Sequence, residues 1–151
     1  MATIRDQIQE QLLERLRTLE DYTAERRYPA GNDANHKRLA LLLAGDEQVL
    51  AGDTMTVQKE MAIEIMVQVR AADAPADLDR NPERYLDQEL GRVEGVLFTP
   101  ANLPGDIDLR PEGLAIVTDP GSDLMRGILK LSVVYRHNIG DPSTFNPGFA
   151  T

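Results

Sequence analysis

At 151 residues the chain has the length of one ordinary domain, and it can bury about two-thirds of the surface its unfolded form exposes without a disulfide or metal staple. It contains no cysteine, which excludes disulfides, thiolate metal sites and a cysteine nucleophile, and which fits synthesis in a reducing cytoplasm. Twenty-five acidic against sixteen basic residues give a net charge of −9, which disfavours coating DNA or binding an anionic membrane.

The N-terminal "MATIRDQIQEQLLERL" lacks the apolar stretch of a signal peptide, and no window approaches the roughly 18 apolar residues of a membrane span, so a soluble, intracellularly made chain is expected. Ile4, Ile8, Leu12, Leu16 and Leu19, with Leu13 beside them, recur at helical spacing and predict an amphipathic helix. Thr3 and Asp6 stand at capping-box positions at its start. A short strand is expected within residues 21–27. Residues 26–38, "RRYPAGNDANHKR", carry Pro29, Gly31 and several Asn and Asp residues and predict an exposed loop. "LALLLAGDEQVLAG" then reads as a strand broken by a tight turn at Gly45-Asp46, with a buried helical turn as the alternative.

In "MAIEIMVQVRA" the alternation is plain. Met61, Ile63, Ile65, Val67 and Val69 share one face and Glu64, Gln68 and Arg70 the other, which predicts a half-buried strand. The Ala/Asp/Pro-rich "AADAPADLDRNPERY" is a loop within one domain spanning 1–151. Asn81 can cap, and Pro82 open, a second helix with the stripe Leu86, Leu90, Val93 and Leu97. Gly91 and Gly95 weaken that helix unless it approaches a sheet closely, and Gly95 is also a candidate for an early helix end. A turn-rich stretch leads to the strand "LAIVTD", and Asp119-Pro120-Gly121 turns the chain into a last strand at 128–136, whose buried face is Leu129, Leu131, Val133 and Tyr135. The predicted fold class is α+β: an antiparallel sheet with two helices packed on one face. Residues 138–151 follow as an extended C-terminal arm whose Pro142, Pro147, Gly140 and Gly148 are expected to prevent it from continuing the sheet.

Chemistry-bearing patterns are sparse. His36 and His137 have no partner at metal-ligand or triad spacing and read as surface residues. No glycine pattern matches a phosphate-binding loop. Asp106, Asp108 and Glu112 could hold a divalent metal for hydrolysis, although solvated carboxylate pairs arise by chance in so acidic a chain. No catalytic residue, cofactor or metal is therefore assigned, and the protein is expected not to be an enzyme. What stands out is apolar material without an evident role inside the chain: Phe145 and Phe149 in the arm, and Met66 and Val134 on the polar faces of their strands. A covering loop would explain it. So would a partner lying on the sheet, which makes Met66, Val134, Arg136, His137, Phe145 and Phe149 candidate interface residues.

The series "IRDQIQEQLLERL", a basic loop, "MAIEIMVQVRA", "RYLDQELGRVEGVLF" and "LKLSVVYRHNIGDPSTF" resembles the tail terminator and minor tail proteins of tailed bacteriophages over about residues 4–145. The resemblance implies a subunit of the virion tail, near the neck, that assembles with copies of itself into a six-membered ring. That ring caps the tail tube protein, ends its elongation and meets the head–tail connector or neck protein. DNA would be only a passing strand, repelled by carboxylates in the ring's lumen. The competing readings are a neck or head–tail completion subunit, a metal-dependent hydrolase built on the acidic loop, and a monomeric ligand-binding α+β domain.

Overall fold

The computed structural model describes residues 3–26, 38–105, 107–117 and 122–145, the last three of these (143–145) by their backbone. His36, Asp106, Phe149, the loop prolines and glycines of 27–37 and the Phe145 side chain lie outside the described residues.

Two helices pack on one face of a six-stranded sheet, the α+β architecture expected. Helix α1 spans Ile4–Arg17 and helix α2 spans Pro82–Leu97. The Thr3 side chain accepts from the Asp6 amide at 3.1 Å, and Asn81 accepts from the Glu83 and Arg84 amides, so each helix starts on a cap that satisfies otherwise orphaned donors. The strands are β1 Thr23–Glu25, β2 Arg38–Gly52, β3 Thr56–Arg70, β4 Asp108–Val117, β5 Leu124–Asn138 and β6 Asp141–Phe145. They run in the order β1-β2-β3-β5-β4, with β6 also on β5. The sheet is antiparallel except that β1 lies parallel to β2, pairing with Leu39, Ala40 and Leu41, which makes it mixed.

One apolar core joins the helices to the sheet. Ile4, Ile8, Leu12, Leu13 and Leu16 of α1 and Leu86, Leu90, Val93 and Leu97 of α2 meet Met61, Ile63, Ile65, Val67 and Val69 of β3 and Leu129, Leu131, Val133 and Tyr135 of β5. These are the two predicted alternations, in the predicted register. Outside that core, Arg15 closes the far end of the helix pair, donating to the carbonyls of Leu97, Pro100 and Asn102 at 2.6–2.9 Å. The C-terminal carbonyls of a helix attract a cation, so α2 is held to α1 there.

Several local expectations are corrected. Gly45-Asp46 is no turn: β2 runs straight through it with a bulge between Ala44 and Glu47, and the chain reverses at residues 53–55 instead. There the Asp53 carboxylate accepts from the Met55 and Thr56 amides and closes the turn. β4 begins at Asp108, well before "LAIVTD", because a sheet edge tolerates Pro111 and a bulge between Pro111 and Gly113 absorbs the irregularity. The C-terminal arm does rejoin the sheet for a few residues. Ile139 and Gly140, the latter with φ of 83°, turn the chain back so that Asp141 pairs with Asn138 and Phe145 with His137; β6 is an edge strand, where Pro142 costs no ladder bond. Gly91 and Gly95 have no atom within 4 Å of an added Cβ, and α2 runs through both. The close approach is made by Gly127 of β5, whose added Cβ would fall 2.8 Å from both Leu90 methyl groups.

Candidate interface surfaces

Four of the six residues expected to meet a partner can be located by their side chains. Met66 is only 7 % exposed: it lies on the face opposite the helices, in a small second cluster with Leu39, Leu41 and the flanking Ile128. Val134 is buried on that same face, which cross-strand pairing places between Glu60 and Asp108. Both are thus covered within the chain, Met66 in an apolar cluster and Val134 between its cross-strand neighbours, and neither offers free surface. Arg136 is half-buried, its Nη2 donating to Gln58 Oε1 at 3.4 Å. His137, expected at the surface, is buried, stacked on Tyr135 with ring centroids 6.1 Å apart. Its Nδ1 lies 2.7 Å from the Asn138 carbonyl oxygen, which identifies Nδ1 as the protonated nitrogen.

Of the acidic candidates, the two described residues, Asp108 and Glu112, are occupied by neighbours. Asp108 Oδ2 accepts from the Arg110 guanidinium at 2.7 and 2.6 Å, and Glu112 Oε1 accepts from the Ser132 hydroxyl at 2.6 Å. Among the described residues no three His, Asp or Glu side chains gather as a metal site would require. The most buried carboxylate, Glu89, accepts from the Tyr22 hydroxyl at 3.1 Å and from Arg92 at 2.8 Å, with Arg38 3.5 Å away. Arg92 and Arg38 also bind Asp21, so this network ties α2 to the approach to β1 and the start of β2. Burial, followed by the negative charge of Glu89, pushes the Tyr22 phenol far above its ordinary value. Such a phenol is kept protonated as a donor.

The surface that sequence reading missed lies at the margins of the sheet. Because β1 covers only residues 39–41, the outer edge of β2 is open from Leu42 onward, and the opposite margin, β4, has no partner on its outer side among the described strands. Beyond Met61 and Tyr135, which are buried, the β2–β3 hairpin and the end of β5 continue as an arm on which Thr56 and His137 are also buried and along which β6, close to α1, pairs with β5, so that its exposed part is β2 from Gln48 to Gly52 and the turn to Met55. From Gln48 to Gly52 this projection extends about 15 Å. At its root the Tyr135 hydroxyl donates to Glu47, and Arg5 and Lys59 lie within 3.8 and 3.7 Å of the same carboxylate.

The exposed large apolar side chains fall on these margins. Val49, Leu50 and Met55 belong to the arm, and Ile139 sits beside them because its amide donates to the Met55 carbonyl at 2.9 Å. Leu114, Ile116 and Val117 line the β4 edge, and Leu43 the β2 edge. A sequence signal existed for Leu114, Ile116 and Val117, which stand in a recognisable strand, but nothing in the sequence shows that the strand is an edge. No family model matches the chain, and no curated protein matches it.

Proposed function

We propose that the protein is a structural subunit of a bacteriophage tail that assembles with copies of itself into a ring, closes the tail tube at its full length and joins it to the head connector. The observation that carries this reading is the placement of exposed apolar side chains on open sheet margins and at the tip of the β2–β3 hairpin. Open edges with apolar side chains invite pairing with another chain, and natural proteins that leave them uncovered use them. The resemblance over residues 4–145 supplies the identity of the assembly.

Charge supports the reading too. Residues 3–22 and 71–105, which comprise the helix layer and its loops, hold twelve acidic and six basic residues, so the acidic excess lies mainly on that side. A ring with this layer turned inward repels passing DNA and lets it slide.

The test is assembly followed by incorporation. Purified protein, alone and with the tail tube protein, is expected to sediment as a multi-subunit ring, and particles made without it are expected to carry tubes of irregular length that lack heads. Normal tail lengths in its absence would overturn the proposal.

A further inference from the structure

We infer that the tip of the arm on one copy docks against the β4 edge of a second copy. This rests on the self-assembly reading above and specifies which surfaces meet. The tip is the apolar group Val49, Leu50, Met55 and Ile139, with Met55 70 % and Ile139 57 % exposed. The receiving edge is Leu114, Ile116 and Val117.

Three observations select this pairing. The first is charge: residues 48–55 and 138–142 carry Asp53 and Asp141 and no base, whereas the receiving edge carries Arg126 and Lys130, its nearby carboxylates Glu112 and Asp123 being bonded to Ser132 and paired with Arg70. Complementary charge around two apolar patches orients their encounter and disfavours tip against tip or edge against edge. The second is shape. Beside Leu114 a hollow of about 230 Å³ opens over Leu129 and Leu131, next to Pro111, with Lys130 and Glu94 also in its lining. That is smaller than the roughly 300–1,000 Å³ of small-molecule pockets and suits a flexible side chain such as Met55.

The third is geometry. The two patches lie at opposite corners of one sheet: Ile116 pairs with Gly127 near the start of β5, whereas Ile139 follows the end of that strand. They are separated by about 35–40 Å along β5, so a tip cannot reach its own edge. A contact between two different patches is heterologous. Repeated around a closed rotation it yields a ring, whereas a self-complementary patch would stop at a dimer.

The test uses Met55→Asp and Leu114→Asp in the full chain, both at exposed positions, with circular dichroism melting to confirm that each folds as the unsubstituted protein does. Each variant alone is expected to need about 100-fold higher concentration to assemble, because a carboxylate is placed in an apolar contact. An equimolar mixture is expected to form dimers and stop, since one good tip and one good edge remain per pair. If both variants assemble like the unsubstituted protein, or if their mixture stays monomeric, the docking is overturned and self-assembly stands. An unsubstituted protein that stays monomeric, including one that joins only the tube protein, overturns self-assembly and the docking together.

Discussion

The Tyr135 hydroxyl on β5 reaches across β3 to donate to the Glu47 carboxylate on β2, so one hydrogen bond spans three strands at the root of the arm. Burial, then this bond and the charge of Glu47, hold the Tyr135 phenol well above its ordinary value. Tyr135→Phe is expected to cost about 1–2 kcal/mol in denaturant unfolding, the lower part of the range for a bond to a charged group, because Arg5 and Lys59 still neutralise Glu47. The pH dependence has a definite sign. A phenol with a raised folded pKa binds its proton more tightly in the native state, so its contribution is complete below the unfolded value near pH 10 and is lost as pH rises beyond it. Tyr22 behaves likewise. Unfolding followed between pH 9 and 11 should therefore show declining stability, with a shallower decline in the double variant Tyr22→Phe, Tyr135→Phe.

Glycine positions give a paired prediction. Gly127→Ala places a methyl 2.8 Å from both Leu90 methyls in a packed core, and is expected to cost about 1–3 kcal/mol. Combining it with Leu90→Val should cost less than the sum of the single changes, since the two share the same space. Gly91→Ala on the exposed face of α2 meets nothing within 4 Å and is expected to stabilise by about 0.5–1 kcal/mol. Thermal or urea unfolding of the four variants decides both.

Leu131 and Lys130 are neighbours on β5 that face opposite sides of the sheet. Leu131 pairs with Ile63 and Pro111 and is buried under the helices, so Leu131→Ala should cost about 2–5 kcal/mol. Lys130 is exposed, and Lys130→Ala should stay within about 0.5 kcal/mol. Equal effects would mean that the register of β5 is wrong by one residue.

The C-terminal segment is best tested at two lengths. A chain ending at Asn138 loses β6 as well as the residues beyond it, whereas a chain ending at Phe145 keeps β6 and loses Phe149. The longer chain is expected to match the stability of the intact protein within about 0.5 kcal/mol, yet to enter particles less well, because burying a phenyl ring in a neighbour contributes roughly 1.5–3 kcal/mol per contact. Light scattering and incorporation measured side by side separate this from simple fraying, for which both readouts would be unchanged.

How far the sequence disclosed the structure depended on which residues had a local partner in the pattern. The stripes of α1 and α2 and the alternations in β3 and β5 were legible because one face of each is buried along its whole length. β2 was legible only to Leu43; past it the strand runs into solvent, where burial imposes no period, so a bulge at Gly45-Asp46 looked like a turn. Met66 and Val134 looked surplus because alternation assumes one wet face, whereas the far face of this sheet buries apolar groups of its own. The surfaces now offered for assembly were the least legible. Met55 and Ile139 are far apart in sequence and meet only through the pairing of β3 with β5, and a strand's position at the edge of a sheet is set by topology alone.

The long β2–β3–β5 projection also has a mechanical consequence. It is clamped where Met61 lies in the core and where Arg5, Glu47, Lys59 and Tyr135 interlock, it is braced on the β5 side by β6, and it is exposed along its β2 side for about 15 Å. A beam of three hydrogen-bonded strands resists bending within the sheet far more than twisting about its own axis, and sheets accommodate twist readily. Load applied at Met55 or Ile139 would reach the core both through the Tyr135–Glu47 clamp and through β6. Copies linked through such tips could take up small errors of angle at each joint without disturbing the cores that fix the tips in place.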